Sequence, residues 1–458
     1  MKLYLYNSIS KQKELFNPID EKNVRMYVCG PTVYDSPHIG NARSAVVYDL
    51  LYRLLELKYS ADHVTYVRNI TDVDDKINAR AKELGITIQK LTHETTIGFH
   101  DDMRYLYCES PDIEPRATEN IDAMIMIIEK LIAHSHAYIS HGHVYFSVLS
   151  YKDYCKLSGR KLDEMIAGAR IDVSEIKHHP GDFVLWKPAD SEDDPSSIFD
   201  SPWGPGRPGW HIECSAMSYR FLGEDFDIHG GGADLLFPHH TNEIAQSCCA
   251  FKDSKFAHIW VHNGFLTVSG EKMSKSLGNF VTVQDLRSKN VKGEIIRCLL
   301  LGTHYRKPLD FNEKAVYDAT EFLNYLYRSC SNLTISEIAP DDDFISFLMD
   351  DMNTSEAFSY LHEKAKEINK EPDYEKKSLL ASSLKSCCNL MGLMNYSPEE
   401  WFTLGINASE VEELLSIRTI AKQNKDWAKA DEVRNKLTSM GITLEDKPDG
   451  STIWRAIS

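Results

Sequence analysis

The feature that most constrains the fold is a strand-like run that leads through a histidine-bearing turn into a helical pattern. Val24–Val28 forms the run, Pro37-His38-Ile39-Gly40 forms the turn, and helical spacing begins near Ala42. A strand followed directly by a helix is the repeating unit of parallel α/β sheets. Where a helix begins at the edge of such a sheet, its first N–H groups are ready to bind a phosphate. The segment therefore predicts an anion site at the edge of a parallel sheet.

The same alternation continues through residues 20–117. Short β-rich runs at 24–28 and 63–67 are separated by helical spacing over 44–57, and another helical pattern follows over 74–84. The fold class predicted from this alternation is α/β, with a doubly wound (Rossmann-type) parallel sheet.

A different pattern interrupts the sheet from residue 118. A helical apolar stripe over 118–133 and a strand-like run over 143–148 precede a stretch rich in Pro and Gly over 190–209. We interpret this region as an insertion. Strand patterns of the sheet resume at 225–229 and 257–261.

The second half of the chain is expected to be mostly α-helical. Helical patterns cover 313–329, 341–352, 354–369, 374–391, 411–423 and 427–440, and a small strand unit follows at 441–446. The acidic run Asp341-Asp342-Asp343 predicts a helix N-cap with a favourable charge for the helix dipole.

Composition excludes several classes of protein. The chain has 458 residues, of which 42% are hydrophobic and 26% charged, as in ordinary globular proteins of several domains. It contains no run of 18 apolar residues, and its N-terminus lacks the apolar core of a signal peptide. Ten cysteines over this length do not form a disulfide framework. We therefore expect a cytoplasmic, reduced protein without a membrane segment.

The net charge of −17 would by itself argue against a polyanionic partner. Nucleic-acid affinity depends on local clusters of cations, however, and Lys and Arg recur between residues 272 and 307. This cluster can also be read as ordinary solvated charge around an enzyme core.

A second motif, Lys272-Met273-Ser274-Lys275-Ser276, lies about 230 residues after the first. It offers two ammonium groups and two hydroxyls on a loop that precedes Gly278. Such a loop can close over a triphosphate and neutralise charge as pyrophosphate leaves.

A third set of residues suggests a metal. Cys29 ends the first strand, Cys214 lies in a later segment, and His239 and Glu243 are placed four residues apart on a helix expected to start at Pro238. Two thiolates, an imidazole and a carboxylate are suitable zinc ligands. The alternative is that both cysteines are buried free thiols and the His–Glu pair is a plain helix face.

Two other histidines, His240 and His229, lie close enough in sequence to be candidate metal ligands. His240 should point away from His239 on the helix, so we do not expect it to share the metal. His229 precedes a glycine run and is expected to line the pocket without binding metal.

Together these motifs resemble the cysteinyl-tRNA synthetases, a family of class I aminoacyl-tRNA synthetases. The resemblance extends to Cys29-Gly30-Pro31-Thr32-Val33-Tyr34-Asp35, to Gly230-Gly231-Gly232-Ala233-Asp234-Leu235 and to the tail that begins at Lys425-Asp426-Trp427. It covers essentially the whole chain.

The resemblance implies a cysteine–tRNA ligase that binds one zinc ion, Mg-ATP, L-cysteine and tRNA(Cys), and we expect a monomer. A zinc ion would select cysteine over serine because it prefers thiolate to alcohol, whereas an apolar pocket separates the two only weakly. The implied domains are a Rossmann-type catalytic domain over 1–117 and 206–262, an insertion over 118–205, a loop and stem-contact region over 263–311, a helical bundle over 312–400 and an anticodon-binding domain over 401–458.

The resemblance also implies roles for individual residues. The catalytic residues would be His38, Lys272 and Lys275, and the ATP site would comprise His38, Gly40, Asn41, Asp234 and Lys275. The amino-acid site would comprise Cys29, Gly30, Thr71 and Trp210, and the metal ligands would be Cys29, Cys214, His239 and Glu243.

Two positions depart from the family pattern. Asn41 stands where a second histidine is usual, so a neutral amide would replace an imidazole near the transferring phosphate. Thr241 stands where Glu is common, between the two proposed helix ligands.

Two other functions share part of this pattern. A ligase that passes cysteinyl-adenylate to an amino sugar, as in mycothiol synthesis, would have the zinc site but no tRNA-binding tail. A catalytically inactive paralogue could keep the tail and bind tRNA without activating cysteine.

Overall fold

The protein is described from a computed structural model, which covers residues 1–159, 162, 164, 176–191, 193–273, 278–403, 408–439, 442–446 and 452–456. The predicted catalytic residue Lys275 lies outside the described residues.

The strands are β1 Tyr4–Asn7, β2 Gln12–Leu15, β3 Val24–Val28, β4 Val64–Arg68, β5 Ala137–Ser140, β6 His143–Phe146, β7 Phe183–Pro188, β8 Gly206–Pro208, β9 Asp225–Gly232, β10 Phe256–Asn263, β11 Leu266–Val268, β12 Glu271–Lys272, β13 Leu309–Phe311, β14 Ile442–Asp446 and β15 Thr452–Ala456.

The helices are α1 Ile39–Tyr59, α2 Asp75–Leu84, α3 Ile88–Tyr105, α4 Ile121–Ala133, α5 Trp210–Leu222, α6 Thr241–Ala250, α7 Val283–Ser288, α8 Gly293–Leu301, α9 Glu313–Ser329, α10 Asp342–Met349, α11 Thr354–Lys370, α12 Tyr374–Leu390, α13 Pro398–Thr403, α14 Ala408–Gln423 and α15 Trp427–Ser439.

The predicted parallel sheet is confirmed. Its four strands lie in the order β10-β9-β3-β4, and every neighbouring pair is parallel. The strands are buried on both faces, as expected for apolar β-rich runs in a parallel sheet. The carboxyl ends of β3 and β9, with Cys29 and the glycine run, therefore meet at one edge.

Helices cover both faces of this sheet. The core on one face joins α1 and α8 to Val24, Met26 and Val28, while the core on the other face joins α4, α5 and α6 to Tyr27 and Val67. Alternate residues of β3 thus point into different cores, as the period of a strand requires. Together with the mostly helical second half, this confirms the predicted fold class.

The insertion carries its own antiparallel sheet, in the order β5-β6-β7-β8. Arg207 on β8 fixes it to the catalytic sheet through an ion pair with Asp75, the first residue of α2 (2.7 Å). Lys187 on β7 reaches the same carboxylate at 3.0 Å. The insertion is therefore anchored beside the loop that follows β4.

Helix α10 is shorter than the 341–352 predicted from the sequence. It ends at Met349, because Asp351 and Met352 have left-handed backbone angles that stop a helix. Asp341 occupies the N-cap position and Asp342 and Asp343 place negative charge in the first turn, so the N-cap prediction is confirmed. The side chain of Asp341 does not itself cap the helix. Its carboxylate instead accepts hydrogen bonds from Tyr360 and Ser383, each at 2.6 Å.

The tail is a separate small unit with its own core around Val411, Val433 and Leu437. Arg418 on α14 donates to both carboxylate oxygens of Asp446 on β14, each at 2.9 Å. Among the described helices, none is both long and apolar enough to cross a membrane.

Candidate active site

The first motif caps helix α1. The backbone N–H of Asn41 donates to His38 Nδ1 at 3.1 Å, and the backbone N–H of His38 donates to Asn41 Oδ1 at 3.2 Å. This reciprocal pair is a capping box. Burial lowers the pKa of His38, so the ring is neutral at pH 7. Since Nδ1 accepts, the proton lies on Nε2, which is left as an N–H donor.

The departure at position 41 has a structural reading. Asn41 holds His38 through its side-chain oxygen, which leaves its amide N–H₂ group as a neutral donor beside the helix N-terminus. Gly40 is required because a Cβ there would lie 2.8 Å from the His38 ring. Both residues therefore fix the orientation of His38.

Asp234 lies in the turn that ends β9, across from the first motif. Its negative charge acts to raise the pKa of His38, against the larger effect of burial. A Cβ on Gly232 would lie only 2.3 Å from Asp234 Oδ1, so the glycine lets the carboxylate fold back over the strand end. The carboxylate and the histidine thus face the same edge of the sheet.

The second motif begins beside the first. Lys272 lies on β12 and is exposed, and Met273 is the last described residue before the gap at 274–277. On the far side of the gap, Val281 accepts a hydrogen bond from the N–H of Ile39 at 3.0 Å. The ring of Phe280 meets His38 edge-on at 5.5 Å between centroids. Residues more than 230 positions apart in sequence are therefore in direct contact.

The four residues predicted as metal ligands come together. One ligand atom from each of Cys29, Cys214, His239 and Glu243 lies within 4.8 Å of the other three. Cys29 follows β3, Cys214 lies in the second turn of α5, and Glu243 lies in the first turn of α6. Three elements that are distant in sequence thus supply one buried cluster.

The separations within the cluster fit zinc. The two sulfur atoms are 3.6 Å apart, Cys29 Sγ is 3.5 Å from Glu243 Oε1, and His239 Nε2 is 3.1 Å from that oxygen. Ligand atoms around a tetrahedral zinc with bonds of roughly 2.0–2.3 Å would be about 3.3–3.8 Å apart. Burial also raises the pKa of the Cys29 thiol well above its usual range. A cation at the centre would offset that cost by stabilising the thiolate.

The expectation that His240 stays away from the cluster is wrong. His240 Nε2 lies 3.4 Å from Cys29 Sγ, and a second set that could hold a metal combines Cys29 and Glu243 with His229 and His240. Phe237 has non-helical backbone angles, and helical geometry begins after it, close to the predicted start at Pro238. His239 and His240 then precede Glu243 by four and three residues, which places both near the helix face that carries Glu243.

The surrounding histidines are neutral donors and acceptors. Burial lowers the pKa of His211 and of His262 to about 3 each. His211 Nδ1 lies 2.9 Å from His239 Nδ1, and His262 Nε2 lies 2.8 Å from His240 Nδ1. A metal-bound histidine commonly donates its second N–H to such a partner. These two partners were not predicted, although His211 adjoins Trp210 and His262 follows the strand predicted over 257–261.

Trp210 lies over the cluster. Its ring stacks on His239 with 4.3 Å between centroids and 29° between planes. The side chain is 38% exposed, so part of the ring faces the open pocket and is not core. This placement suits a wall of the amino-acid site.

Thr71 belongs to a buried polar network beside the cluster. Asn69 Nδ2 donates to Thr71 Oγ1 at 3.1 Å, and Thr71 Oγ1 donates to Glu213 Oε2 at 3.1 Å. Asn69 Oδ1 accepts from the N–H of Gly30 at 2.9 Å. Burial and the neighbouring Asp74 raise the pKa of Glu213. Neither Asn69 nor Glu213 was predicted as a site residue, although Asn69 lies two residues before Thr71 and Glu213 directly precedes Cys214.

A cavity of about 680 Å³ extends from this polar network toward the insertion. Trp210, Glu213 and Pro238 line its inner end, while Tyr145 and Lys187 line its end in the insertion. Trp210, which stacks on His239, places this inner end of the cavity beside the cluster.

In the tail, two lysines that could contact tRNA already have acidic partners. Lys422 pairs with Asp446 at 2.7 Å, and Lys429 pairs with Glu432 at 2.8 Å. Trp427, in contrast, is 61% exposed at the start of α15. An exposed aromatic ring of this size is suited to stacking on a base.

Family models match most of the chain. A model described as the class I (C) tRNA synthetase catalytic domain matches residues 15–321. A DALR domain matches 343–395, and a cysteinyl-tRNA ligase anticodon-binding domain matches 408–455.

The chain is 57% identical over 456 residues to the cysteine–tRNA ligase of Rickettsia bellii strain OSU 85-389, covering 99% of this chain and 100% of the relative. It is also 57% identical to that of Rickettsia felis strain ATCC VR-1525, covering 99% of each. Among solved structures, methionyl-tRNA synthetase of Mycobacterium tuberculosis with methionyl-adenylate matches with a TM-score of 0.54 at 16% identity, over 81% of this chain and 89% of that chain. Its low identity supports the fold alone, whereas the close relatives and the family models together show that the chain belongs to the cysteine–tRNA ligases of class I.

Proposed function

We propose that this enzyme activates L-cysteine with ATP and transfers it to the 3′ end of tRNA(Cys), with one zinc ion holding the substrate sulfur. The observation that carries the proposal is the largely buried set Cys29, Cys214, His239 and Glu243 at the edge of the parallel sheet. Zinc, when bound there, would favour a thiolate over the hydroxyl of serine.

The first reaction forms cysteinyl-adenylate. The cysteine carboxylate attacks the α-phosphorus of ATP, and pyrophosphate leaves with its Mg²⁺. His38 would donate its Nε2 proton in a hydrogen bond to a phosphate oxygen, beside the N–H groups of α1. Lys272 and Lys275 would neutralise charge on the leaving pyrophosphate. No protein nucleophile is needed, because position and electrostatics carry the rate.

The amino acid would lie between the sulfur site and the nucleotide. Thr71 and Gly30 form one side, and Trp210 covers the other. Asp234 would bind the substrate ammonium or the ribose hydroxyls of ATP, because it is the carboxylate nearest to His38 in this turn. Asn41 would bind phosphate through its side-chain NH₂ group, and Gly40 would contribute only by leaving room for the His38 ring.

In the second reaction a ribose hydroxyl of the tRNA end attacks the activated carbonyl, and AMP leaves. The cavity that reaches the insertion gives the tRNA end a route to that carbonyl. The matched anticodon-binding domain at 408–455 supports tRNA over an amino sugar as the acceptor. We also propose that the protein is a monomer in the cytoplasm and that its domains have the boundaries predicted from the sequence.

The test is cysteine-dependent exchange of labelled pyrophosphate into ATP, with serine as the control substrate, followed by charging of tRNA(Cys). We expect exchange with cysteine, almost none with serine, and transfer to tRNA. Tight tRNA binding without exchange would support the inactive paralogue instead. Exchange without charging, together with transfer to an amino sugar, would support the other ligase.

A further inference from the structure

Within the part of the chain that the structure describes, Arg43 is a buried cation without an anionic partner. It lies in the first turns of α1, five residues after His38, and is 0% exposed. Its Nη1 donates to the carbonyls of Gly264 and Phe265, each at 2.8 Å, and its Nη2 donates to those of Tyr305 (3.3 Å) and Lys307 (2.7 Å). All four acceptors are backbone oxygens.

A buried guanidinium is costly unless its surroundings require it. Burial lowers the pKa of Arg43 to about 10, so it is still charged at neutral pH. Four carbonyls converge on its two terminal nitrogens, an arrangement that the planar fork of arginine can satisfy and the single ammonium of lysine cannot. The geometry thus selects arginine at this position.

The four carbonyls mark the start of the hairpin that carries the second motif. Gly264 and Phe265 directly precede β11, which pairs with β12 and Lys272. Tyr305 and Lys307 precede β13, the other neighbour of β11. The two segments are also joined directly, because the N–H of Gly264 donates to Tyr305 O at 2.7 Å.

The far side of the second motif is held by the same helix. The N–H of Ile39, the first residue of α1, donates to Val281 O, and His38 forms an isolated bridge with Thr282. Arg43 and the start of α1 therefore fix the described segments on both sides of the gap at 274–277.

We infer that Arg43 is a positioning residue for adenylate formation, which acts by holding the β11–β12 hairpin and its Lys272 in register with His38. It does not touch substrate. This inference rests on the proposed function, since it assigns Arg43 to the first reaction of that function.

The primary variant is Arg43→Lys, measured by pyrophosphate exchange and by the single-turnover rate of adenylate formation. Because misplacement of catalytic groups by about 1 Å can cost on the order of 10²-fold, we expect a loss of that order in kcat. The KM for cysteine and the zinc content should stay near those of the parent, since the sulfur site lies on other elements. A parent enzyme without exchange would refute the proposed function, whereas an active parent with an equally active variant refutes the role of Arg43.

Arg297 supplies the matched control. It is also 0% exposed, and it donates to backbone carbonyls of Met391 (2.6 Å) and Leu106 (3.1 Å). It differs in having the Asp49 carboxylate as a partner and in binding the helical bundle instead of the hairpin. Arg297→Lys should lower thermal stability while leaving kcat close to that of the parent. Equal losses of kcat in both arginine variants would mean that Arg43 acts only through stability.

A double mutant tests whether Arg43 acts through the hairpin. Lys272→Ala removes the catalytic cation that the hairpin presents. If Arg43 acts by placing it, Arg43→Lys should lower the rate much less in the Lys272→Ala background than in the parent. Fully multiplicative losses would overturn the inference.

Gly264→Ala perturbs the same junction without changing Arg43. It replaces Arg43→Lys as the test if that variant does not fold. A Cβ on Gly264 would lie 2.6 Å from Lys307 O and 2.8 Å from Arg306 O, so it forces apart the two segments that Arg43 joins. We expect the same pattern, with low kcat and an unchanged KM for cysteine. A folded Gly264→Ala enzyme with the kcat of the parent would contradict the inference.

Discussion

Gly30→Ala should disable the site by separating two chain segments that must touch. A Cβ on Gly30 would lie 1.6 Å from the carbonyl oxygen of Asn69 and 2.8 Å from its carbonyl carbon. Ordinary contact begins near 3.4 Å, so the segments must move apart by roughly 1.8 Å. Gly30 follows Cys29, a proposed metal ligand, and Asn69 positions Thr71 through its amide. The move would therefore shift the proposed sulfur site relative to the rest of the proposed amino-acid pocket.

The expected loss follows from that distance. Misplacement of about 1 Å is enough to cost on the order of 10²-fold in rate, so kcat/KM for cysteine in pyrophosphate exchange should fall by at least that factor. Overpacking of the junction should also lower the free energy of unfolding by about 1–3 kcal/mol. The assays are exchange kinetics at several cysteine concentrations, zinc content and urea unfolding.

Gly98→Ala is the control for adding a methyl group to a glycine. Gly98 lies inside α3, and a Cβ there meets nothing within 4 Å. The change should stabilise the helix by about 0.5–1 kcal/mol and leave exchange unaltered. A Gly30→Ala enzyme with the zinc content and kcat/KM of the parent would refute the reasoning about this junction.

Three further outcomes are expected. Cys214→Ser should reduce the zinc found by metal analysis below one per chain and let serine compete better in exchange; unchanged zinc and selectivity would remove Cys214 from the ligand set. Burial raises the pKa of Asp102 to about 6 in the folded protein, whereas the unfolded chain has the ordinary value of about 3.9. The contribution of the protonated carboxyl to the free energy of unfolding is therefore fully present below about pH 3.9 and is lost as the pH rises through about 6. Asp102→Asn should accordingly exceed the parent in urea unfolding by about 1–2 kcal/mol at pH 8 and match it below pH 4, and an equal difference at both pH values would exclude the pKa as the cause. Deletion of residues 408–458 should leave exchange nearly intact but abolish charging of tRNA(Cys), and charging that survives the deletion would reopen the assignment of the tail.

Local patterns were enough to predict the sheet and the residues gathered at its edge. The predicted strand at 257–261 lies within β10, and the helix predicted over 313–329 matches α9. The pairing of Cys29 with Cys214 depended on the family resemblance, since Cys214 lies in α5 and not at a strand end. The strands and helices themselves follow from information contained within a few residues.

Contacts that depend on the placement of neighbouring elements could not be predicted in this way. His240 lies three residues before Glu243 on the same helix, but its approach to Cys29 depends on where β3 ends relative to that helix. The acceptors of Arg43 are carbonyls more than 200 residues away, and any residue type can supply a carbonyl. The sequence therefore identified groups with distinctive chemistry and missed the backbone that positions them.

Helix α1 explains how such distant motifs act together. His38 caps it, Arg43 holds the hairpin of the second motif, and the hydroxyl of Tyr48 bonds to backbone carbonyls of β9 and β10 at 2.8 and 2.7 Å. With a rise of about 1.5 Å per residue, these three attachments span about 15 Å along one helix. The proposed phosphate site, the hairpin of the second motif and the sheet edge that carries the proposed sulfur site are therefore placed relative to one another by a single element. Substitutions along its buried face should then affect adenylate formation more than affinity for cysteine.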